Sequence, residues 1–297
     1  MSDFILRQNK IKSYLYMFCL VLLFGTFGSY LSSALKWGLS GTTIFLLVSA
    51  IINFIAYFYS DKIILKSAKA KSLQREDLPE LFDMVDELSR EANIPFPKLY
   101  LIDDRSMNAF ATGRNPSHAA VAVTRGLVEK LSPSEIRAVV SHEIAHISNW
   151  DTLLMTVISI VAGFISIMSD LFWRSRLISK AQDKDRSGVL SMLGLILIIF
   201  APIAALLIQL TISRKREFIA DAYGAKLSKD PLSLASALNK ISRDHRPLPN
   251  MSQSVAHLCF TSPLNISNAI DKIFSTHPPI EERIKKLVAQ NEEDKSK

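Results

Sequence analysis

The chain is poor in cysteine, and this limits the chemistry open to it. Two cysteines occur among 297 residues, Cys19 within an apolar segment and Cys259 far along the chain. Two distant cysteines argue against a disulfide framework and against a cysteine-rich zinc site. Any metal chemistry must therefore come from the six histidines and from carboxylates.

Four long segments lack charge entirely: residues 13–35, 37–60, 152–169 and 187–213. A helix needs about 20 mostly apolar residues to cross the hydrocarbon core of a bilayer. We therefore interpret the four segments as membrane-embedded helices arranged in two hairpins. Two alternatives stay open: a cleaved signal peptide for the first segment, and a buried hairpin in a soluble core for the last pair.

These segments divide the chain into four parts. Residues 1–60 form an N-terminal transmembrane hairpin, and residues 61–151 form the first half of a catalytic domain. Residues 152–212 form the second membrane hairpin, and residues 213–297 form the second half of the catalytic domain. Two hairpins place both halves of the catalytic domain on the same side of the membrane.

The formal net charge is +7, and lysines and arginines cluster at the edges of the apolar segments. A basic chain could bind nucleic acid, but basic residues in these positions indicate contact with anionic lipid and set the orientation. They place the N-terminus and residues 61–151 inside the cell. The basic loop at residues 174–186 does not fit a simple four-span arrangement, so the second hairpin either crosses or re-enters the membrane.

The polar parts of the chain predict a mostly helical α+β domain with a small β-sheet. Amphipathic spacing predicts a helix over residues 76–92, and strand-like runs follow at residues 98–103, 107–112 and 118–124. Prolines at the first helical turn predict further helices from Pro133, Pro231 and Pro278. Residues 291–297 are expected to form a frayed, charged tail.

The segment His142-Glu143-Ile144-Ala145-His146 lies in the predicted helix that starts at Pro133. Spacing of four residues places both imidazoles on one helical face, so both can reach a single metal ion. Glu143 is then close enough to take a proton from a water at the open metal position. The alternative is a solvated helix with two surface histidines, which the apolar residues around the motif disfavour.

A catalytic zinc site needs a third protein ligand, and no His or Glu follows His146 until Glu217. Glu217 comes directly after the fourth apolar segment, at the same depth as His146, so we predict it as the third ligand. Asp221 lies four residues further on, where it could accept a hydrogen bond from a liganding imidazole. The alternative is an exposed Glu217 paired with Arg214.

These motifs, together with Asn108-Ala109-Phe110-Ala111-Thr112-Gly113, resemble the HtpX heat-shock proteases of the Ste24/HtpX class of membrane metallopeptidases. The resemblance covers nearly the whole chain. It implies a gluzincin fold, one zinc ion per chain and a cytoplasmic-facing site in membrane-protein quality control. By motif, the resemblance assigns zinc ligation to His142, His146 and Glu217, and the general base to Glu143.

The same resemblance assigns a substrate-binding role to Asn108, Ala109 and Phe110. They would belong to an edge strand along which the substrate backbone lies extended. The alternative is a plain β-strand. His277 precedes a predicted helix and either assists the reaction or is structural, and we leave it out of the predicted site.

The sequence thus predicts a multi-pass zinc endopeptidase, and the resemblance implies that it lies in the bacterial inner membrane and cleaves misfolded or damaged proteins. Its expected partners are unfolded protein substrates and the lipid bilayer, with no nucleic acid. A prenyl-protein peptidase is a weaker interpretation. Such enzymes enclose their site in a larger multi-span chamber, whereas this chain has four apolar segments. A non-catalytic scaffold is weaker too, because metal binding alone does not require Glu143.

Overall fold

A computed structural model describes residues 38–155, 214–244, 259–260 and 278–295, together with scattered positions before residue 38. The predicted membrane segment at residues 187–213 lies outside the described residues. So do most of residues 13–35 and 152–169, and so does His277.

The described chain is mostly helical and contains one small sheet, as the sequence predicted. In chain order the elements are α1 (Gly38–Ser67), β1 (Lys71–Ser72), α2 (Pro79–Glu91), β2 (Lys98–Ile102), β3 (Ala109–Gly113), β4 (Ala119–Thr124), α3 (Arg125–Lys130), α4 (Pro133–Ser148), α5 (Arg214–Ser228), α6 (Pro231–Ser242) and α7 (Ile280–Lys295).

Two short elements, β1 and α3, were not predicted, and one prediction was wrong. Helix α7 continues to Lys295, so residues 291–295 are helical and do not form a frayed tail. The alternation of polar residues with Ile284, Leu287 and Val288 continues the amphipathic pattern of α7, and Leu287 is buried in the core. Because this face packs against the core, the helix continues further than the charged end of the sequence suggests.

The four strands form a mixed sheet in the order β1-β2-β4-β3. Strands β2 and β4 are parallel, with Lys98 opposite Ala120, whereas β3 and β4 form an antiparallel hairpin with Ala109 opposite Val123. The chain turns between β3 and β4 at Gly113, whose φ of 138° favours glycine. Strand β3 therefore occupies one edge of the sheet.

Alternating side chains of the sheet enter two different cores, as strand geometry requires. Ala109, Ala111 and Val121 pack with α2, α4 and α6 in the larger core. Phe110, Ala120 and Ala122 pack on the opposite face against the end of α1. The sheet thus joins the helices of the candidate site on one side to α1 on the other.

A capping box fixes the start of α4. The Glu135 N–H donates to the Ser132 hydroxyl at 3.3 Å, and the Ser132 N–H donates to the Glu135 carboxylate at 2.8 Å. The same carboxylate accepts hydrogen bonds from Ser236 and Lys240 of α6. One local signal in the sequence thus sets both the helix start and the docking of α6.

Helix α1 has 30 residues. Among the described residues, no single helix meets the length and apolarity needed to cross a bilayer. Two segments of this region, Leu46–Ile52 and Tyr57–Ser67, are bent by 59° relative to each other. Only when they are taken together do they have the length and apolarity needed to cross a bilayer.

Candidate metal centre

The two histidines of α4 lie on one buried face, one turn apart. His142 is 1% exposed and His146 is 5% exposed, which excludes the alternative of two surface histidines. Their Nε2 atoms face each other at 3.1 Å. Two nitrogen ligands of a tetrahedral zinc ion, each about 2.0–2.1 Å from the metal, lie about 3.3 Å apart, so this separation fits a shared metal ion.

Helix α5 brings Glu217 to the same point. Its Oε1 lies 3.6 Å from His146 Nε2, and its Oε2 lies 3.9 Å from His142 Nε2. The ligand atoms of the three residues all lie within 4.8 Å of one another. Glu217 is only 3% exposed, which excludes the alternative of an exposed glutamate.

Close packing of two backbones makes this approach possible. Gly224 of α5 lies so near α4 that a Cβ atom there would be 2.9 Å from the backbone N and Cα of His142. Any larger residue would push α5 away from α4 at the level of the histidines. The glycine therefore sets the distance at which Glu217 faces the imidazoles.

The Nδ1 atom of each histidine lies beside a carboxylate. Asp221 Oδ1 lies 3.0 Å from His142 Nδ1, as the sequence predicted. Asp151 Oδ2 lies 3.1 Å from His146 Nδ1, a contact that the sequence analysis missed. Such carboxylates orient the ring, so that Nε2 presents its lone pair to a metal.

Each of these carboxylates is in turn paired with an arginine, of which Arg283 is fully buried. Arg216 Nη1 lies 3.2 Å from Asp151 Oδ1. Arg283 of α7 donates two hydrogen bonds to Asp221, at 2.6 and 2.8 Å. The site therefore contains two parallel chains of contacts, and each runs from an arginine through an aspartate to an imidazole.

Glu143 lies between the histidine pair and the edge strand, and is 2% exposed. The backbone N–H of Ala111 in β3 donates a hydrogen bond to its carboxylate. Burial raises the pKa of Glu143 to about 7, with Glu217 adding to the rise and the charge of His146 opposing it. A carboxyl group poised near neutral pH can both accept and return a proton.

The electrostatics of the two imidazoles follow from the same contacts. Burial lowers the pKa of His142. Burial would also lower the pKa of His146, but the hydrogen bond to Asp151 and the charge of Glu217 raise it to about 9. An imidazole binds a metal only when it is neutral, so metal binding at His146 Nε2 releases a proton.

With both imidazoles neutral and the carboxylates ionised, a dication would balance the charges of the site. Four buried carboxylates face two arginines, leaving two negative charges when both imidazoles are neutral: Glu143, Asp151, Glu217 and Asp221 against Arg216 and Arg283. Uncompensated buried charge is costly. The donor set and the charge balance both fit one divalent metal ion.

The predicted substrate residues all lie at the start of β3 and are buried. Asn108 accepts a hydrogen bond from the Ala109 N–H through its side chain. The Ala109 carbonyl accepts from the Phe260 N–H at 2.8 Å, so part of the edge is already paired. The Phe110 side chain packs against the α1 side of the sheet, away from Glu143. A substrate-binding role for these three residues therefore stays a prediction.

Two histidines one turn apart, a glutamate beside the first and a carboxylate from a second helix are typical of the metallopeptidases that use a His2Glu ligand set. Comparison with known proteins agrees: residues 76–291 match the profile of peptidase family M48. The chain belongs to this family. It is a metalloprotease, which uses a metal cofactor to hydrolyse peptide bonds in peptide or protein substrates.

Its relatives narrow the assignment. A "Protease HtpX homolog" of Thermoanaerobacter pseudethanolicus is 41% identical over 286 residues, a match that covers 94% of this chain and 95% of the relative. A "Protease HtpX homolog" of Tropheryma whipplei is 39% identical over 287 residues, or 97% of each chain. These matches confirm the predicted HtpX resemblance and, with it, a membrane-associated protease.

A solved structure shares the fold. The crystal structure of S. mikatae Ste24p matches with a TM-score of 0.51 at 21% identity. The match covers 96% of this chain and 66% of that chain, so the chain spans about two thirds of the length of this neighbour. At this identity the likeness concerns the fold alone.

Proposed function

We propose that the protein is a zinc endopeptidase whose metal ligands are His142, His146 and Glu217 and whose general base is Glu143. One observation carries the proposal: three ligand atoms from two helices lie within 4.8 Å of one another beside a buried glutamate. Nitrogen and carboxylate donors in this number suit zinc, and they leave a coordination position open. Bound there, zinc supplies Lewis acidity to the scissile carbonyl and to the attacking water.

Glu143 performs the proton transfers. Its carboxylate accepts a proton from the attacking water and delivers it to the leaving amine when the peptide bond breaks. Burial supports both steps, because it brings the pKa of Glu143 to about 7 and leaves the group able to hold the proton between them. The hydrogen bond from the Ala111 N–H fixes the carboxylate beside β3.

The substrate backbone pairs with the part of the outer edge of β3 that Phe260 leaves open. Residues of β3 alternate, so the Ala111 N–H points toward Glu143 on the side away from β4. A peptide added along this edge would run directly past the proposed base, and strand addition supplies affinity without demanding a particular sequence. A structure of a Glu143→Gln variant with a bound peptide that leaves β3 unpaired would contradict this placement.

Binding through the backbone suits unfolded chains, because a folded protein pairs most of its extended backbone internally. We infer that the substrates are misfolded or damaged proteins, including membrane proteins, and that the protease serves protein quality control. The relatives' name "Protease HtpX homolog" supports this inference at the level of the family.

We also propose that α1 and the apolar segments outside the described residues lie in the bacterial inner membrane. Helix α1 exposes a run of large apolar side chains, among them Leu39 at 85%, Ile51 at 56% and Phe54 at 56%. Lipid rather than water suits such a surface. Arg114, at the tip of the β3–β4 hairpin, donates to the Phe58 carbonyl, so the sheet is anchored beside this helix.

The proposed orientation places the metal centre in the cytoplasm, since only Lys36 lies between the first two apolar segments, whereas four lysines and Arg75 follow the second. In sealed cells, a thiol reagent added from outside should not label a cysteine introduced by Ser296→Cys. It should label one introduced by Lys36→Cys, between the first two apolar segments. Labelling at position 296 from outside would overturn the orientation.

Proteolysis by the purified protein tests the function. We expect detergent-solubilised protein to cleave an unfolded casein-type substrate, to lose this activity when a chelator strips the metal, and to regain it when zinc is returned. Cleavage that persists in metal-free protein would refute the proposal. A Lys285→Gln variant, changed at an exposed position of α7, serves as the matched control for purification.

A further inference from the structure

Arg283 is a buried charge in an unusual position. It is 0% exposed, although its neighbours Glu281, Glu282 and Lys285 on α7 face solvent. A buried charge is stabilising only when its partners satisfy it, and an apolar side chain of similar volume is often at least as stable. The contacts of Arg283 therefore need an explanation beyond the packing of α7.

The guanidinium group reaches both ends of one imidazole. On the Nδ1 side, it donates through Nε and Nη2 to Asp221, whose Oδ1 lies 3.0 Å from His142 Nδ1. On the Nε2 side, its Nη1 lies 3.6 Å from Glu217 Oε2, the same oxygen that lies 3.9 Å from His142 Nε2. One planar cation thus contacts both carboxylates that flank the His142 ring.

The same group also contacts Phe260, which lies beside His142. Arg283 Nη1 donates to the Phe260 carbonyl at 3.4 Å, and the Phe260 ring stands edge-on to the His142 ring at 4.9 Å. The Phe260 N–H in turn pairs with Ala109 at the edge of β3. Helix α7, Phe260, α5 and α4 therefore meet at a single guanidinium group.

We propose that Arg283 is a positioning residue that sets the metal affinity of the site, acting through Asp221 on His142 and directly on Glu217. The proposal rests on the metal ligands proposed above. Arginine suits this role because its guanidinium group donates two parallel hydrogen bonds to one carboxylate, while its remaining nitrogen, Nη1, faces Glu217. A lysine offers a single ammonium group and cannot satisfy both carboxylates.

The test measures metal binding, not only proteolysis. Arg283→Met should raise the zinc dissociation constant by about 10- to 100-fold, the effect typical of groups that orient metal ligands. The visible spectrum of the cobalt-substituted protein should also change, because Glu217 is no longer held. Arg283→Lys should not restore either property, whereas Lys285→Gln, on the exposed face of α7, should match the parent protein in both.

A second comparison isolates the route through Asp221. Asp221→Asn should also raise the zinc dissociation constant. In the double variant with Arg283→Met, this constant should rise by less than the product of the two single fold-changes, because both substitutions act on His142. The double variant removes both buried charges, so it should fold even if Arg283→Met alone does not. Its zinc affinity should still lie below that of the parent.

The outcomes separate the two proposals. If the parent protein binds zinc but a folded Arg283→Met or double variant binds it with the same affinity and cobalt spectrum, Arg283 has no positioning role. Fully independent effects of the two substitutions would likewise overturn the route through Asp221. If the parent protein itself binds no metal, the proposed function fails first.

Discussion

Replacing Glu143 by glutamine should lower the rate of peptide hydrolysis by about 10²- to 10⁴-fold, the range that general acid–base groups contribute, while the metal stays bound. The amide has nearly the same shape as the carboxylate, and its oxygen can still accept the hydrogen bond from Ala111. It cannot accept a proton from the attacking water. The expected loss is therefore one of chemistry and not of structure.

The measurement pairs kcat/KM on an unfolded substrate with the zinc content per chain. A matched control is Glu129→Gln, which removes an exposed carboxylate on α3 and should leave both quantities unchanged. Loss of zinc from the Glu143 variant would mean that Glu143 is a ligand. Retained turnover would mean that another group moves the proton.

Features encoded by neighbouring residues could be predicted from the sequence. The capping box of Ser132 and Glu135 lies within four residues, so it marks the start of α4 before any tertiary contact is known. The i, i+4 spacing of His142 and His146 likewise follows from helix geometry alone. Predictions of this kind agree with the structure because few conformations satisfy such local patterns.

Features that depend on tertiary contacts were missed. Asp151 lies five residues after His146, off the face of α4, and it reaches the imidazole only because Trp150 turns the chain at a φ of 61°. Nothing in the local sequence indicates a left-handed tryptophan, which is an uncommon conformation for a bulky residue. The order of the four strands likewise depends on how distant segments pair.

The burial of Arg283 could have been predicted from its position in the sequence. Ile280, Ile284 and Leu287 form an apolar stripe along α7, and position 283 belongs to the same stripe. A charged residue in an apolar stripe indicates a buried partner. The sequence does not say which carboxylate is the partner, since Asp221 is 62 residues away.

Replacing Glu217 by alanine should lower zinc content and proteolysis together, whereas Glu281→Ala should spare both. Glu217 is buried, and its two oxygens face the two Nε2 atoms at 3.6 and 3.9 Å. Glu281 is exposed on the first turn of α7, where the helix dipole favours an acidic residue for reasons unrelated to metal. The two substitutions remove the same group from very different surroundings.

The size of the effect discriminates between a ligand and a supporting group. Loss of a group that only orients a ligand costs about 10- to 100-fold in metal affinity, so loss of the third ligand should exceed this range. Glu217→Asp keeps the charge but shortens the side chain by one methylene, and we expect zinc affinity between those of the parent and the alanine variant. Thermal unfolding of each variant checks that α5 stays docked on α4.

One result would show that the third ligand has been misassigned. If Glu217→Ala keeps full zinc occupancy while His277→Ala loses it, the ligand comes from the segment before α7, and the His2Glu assignment falls. The described contacts favour Glu217, because Gly224 holds α5 against the backbone of His142 and Arg283 holds the Glu217 carboxylate toward the imidazoles. Since both supports act on the folded chain before metal binds, zinc binding at Glu217 requires little further ordering.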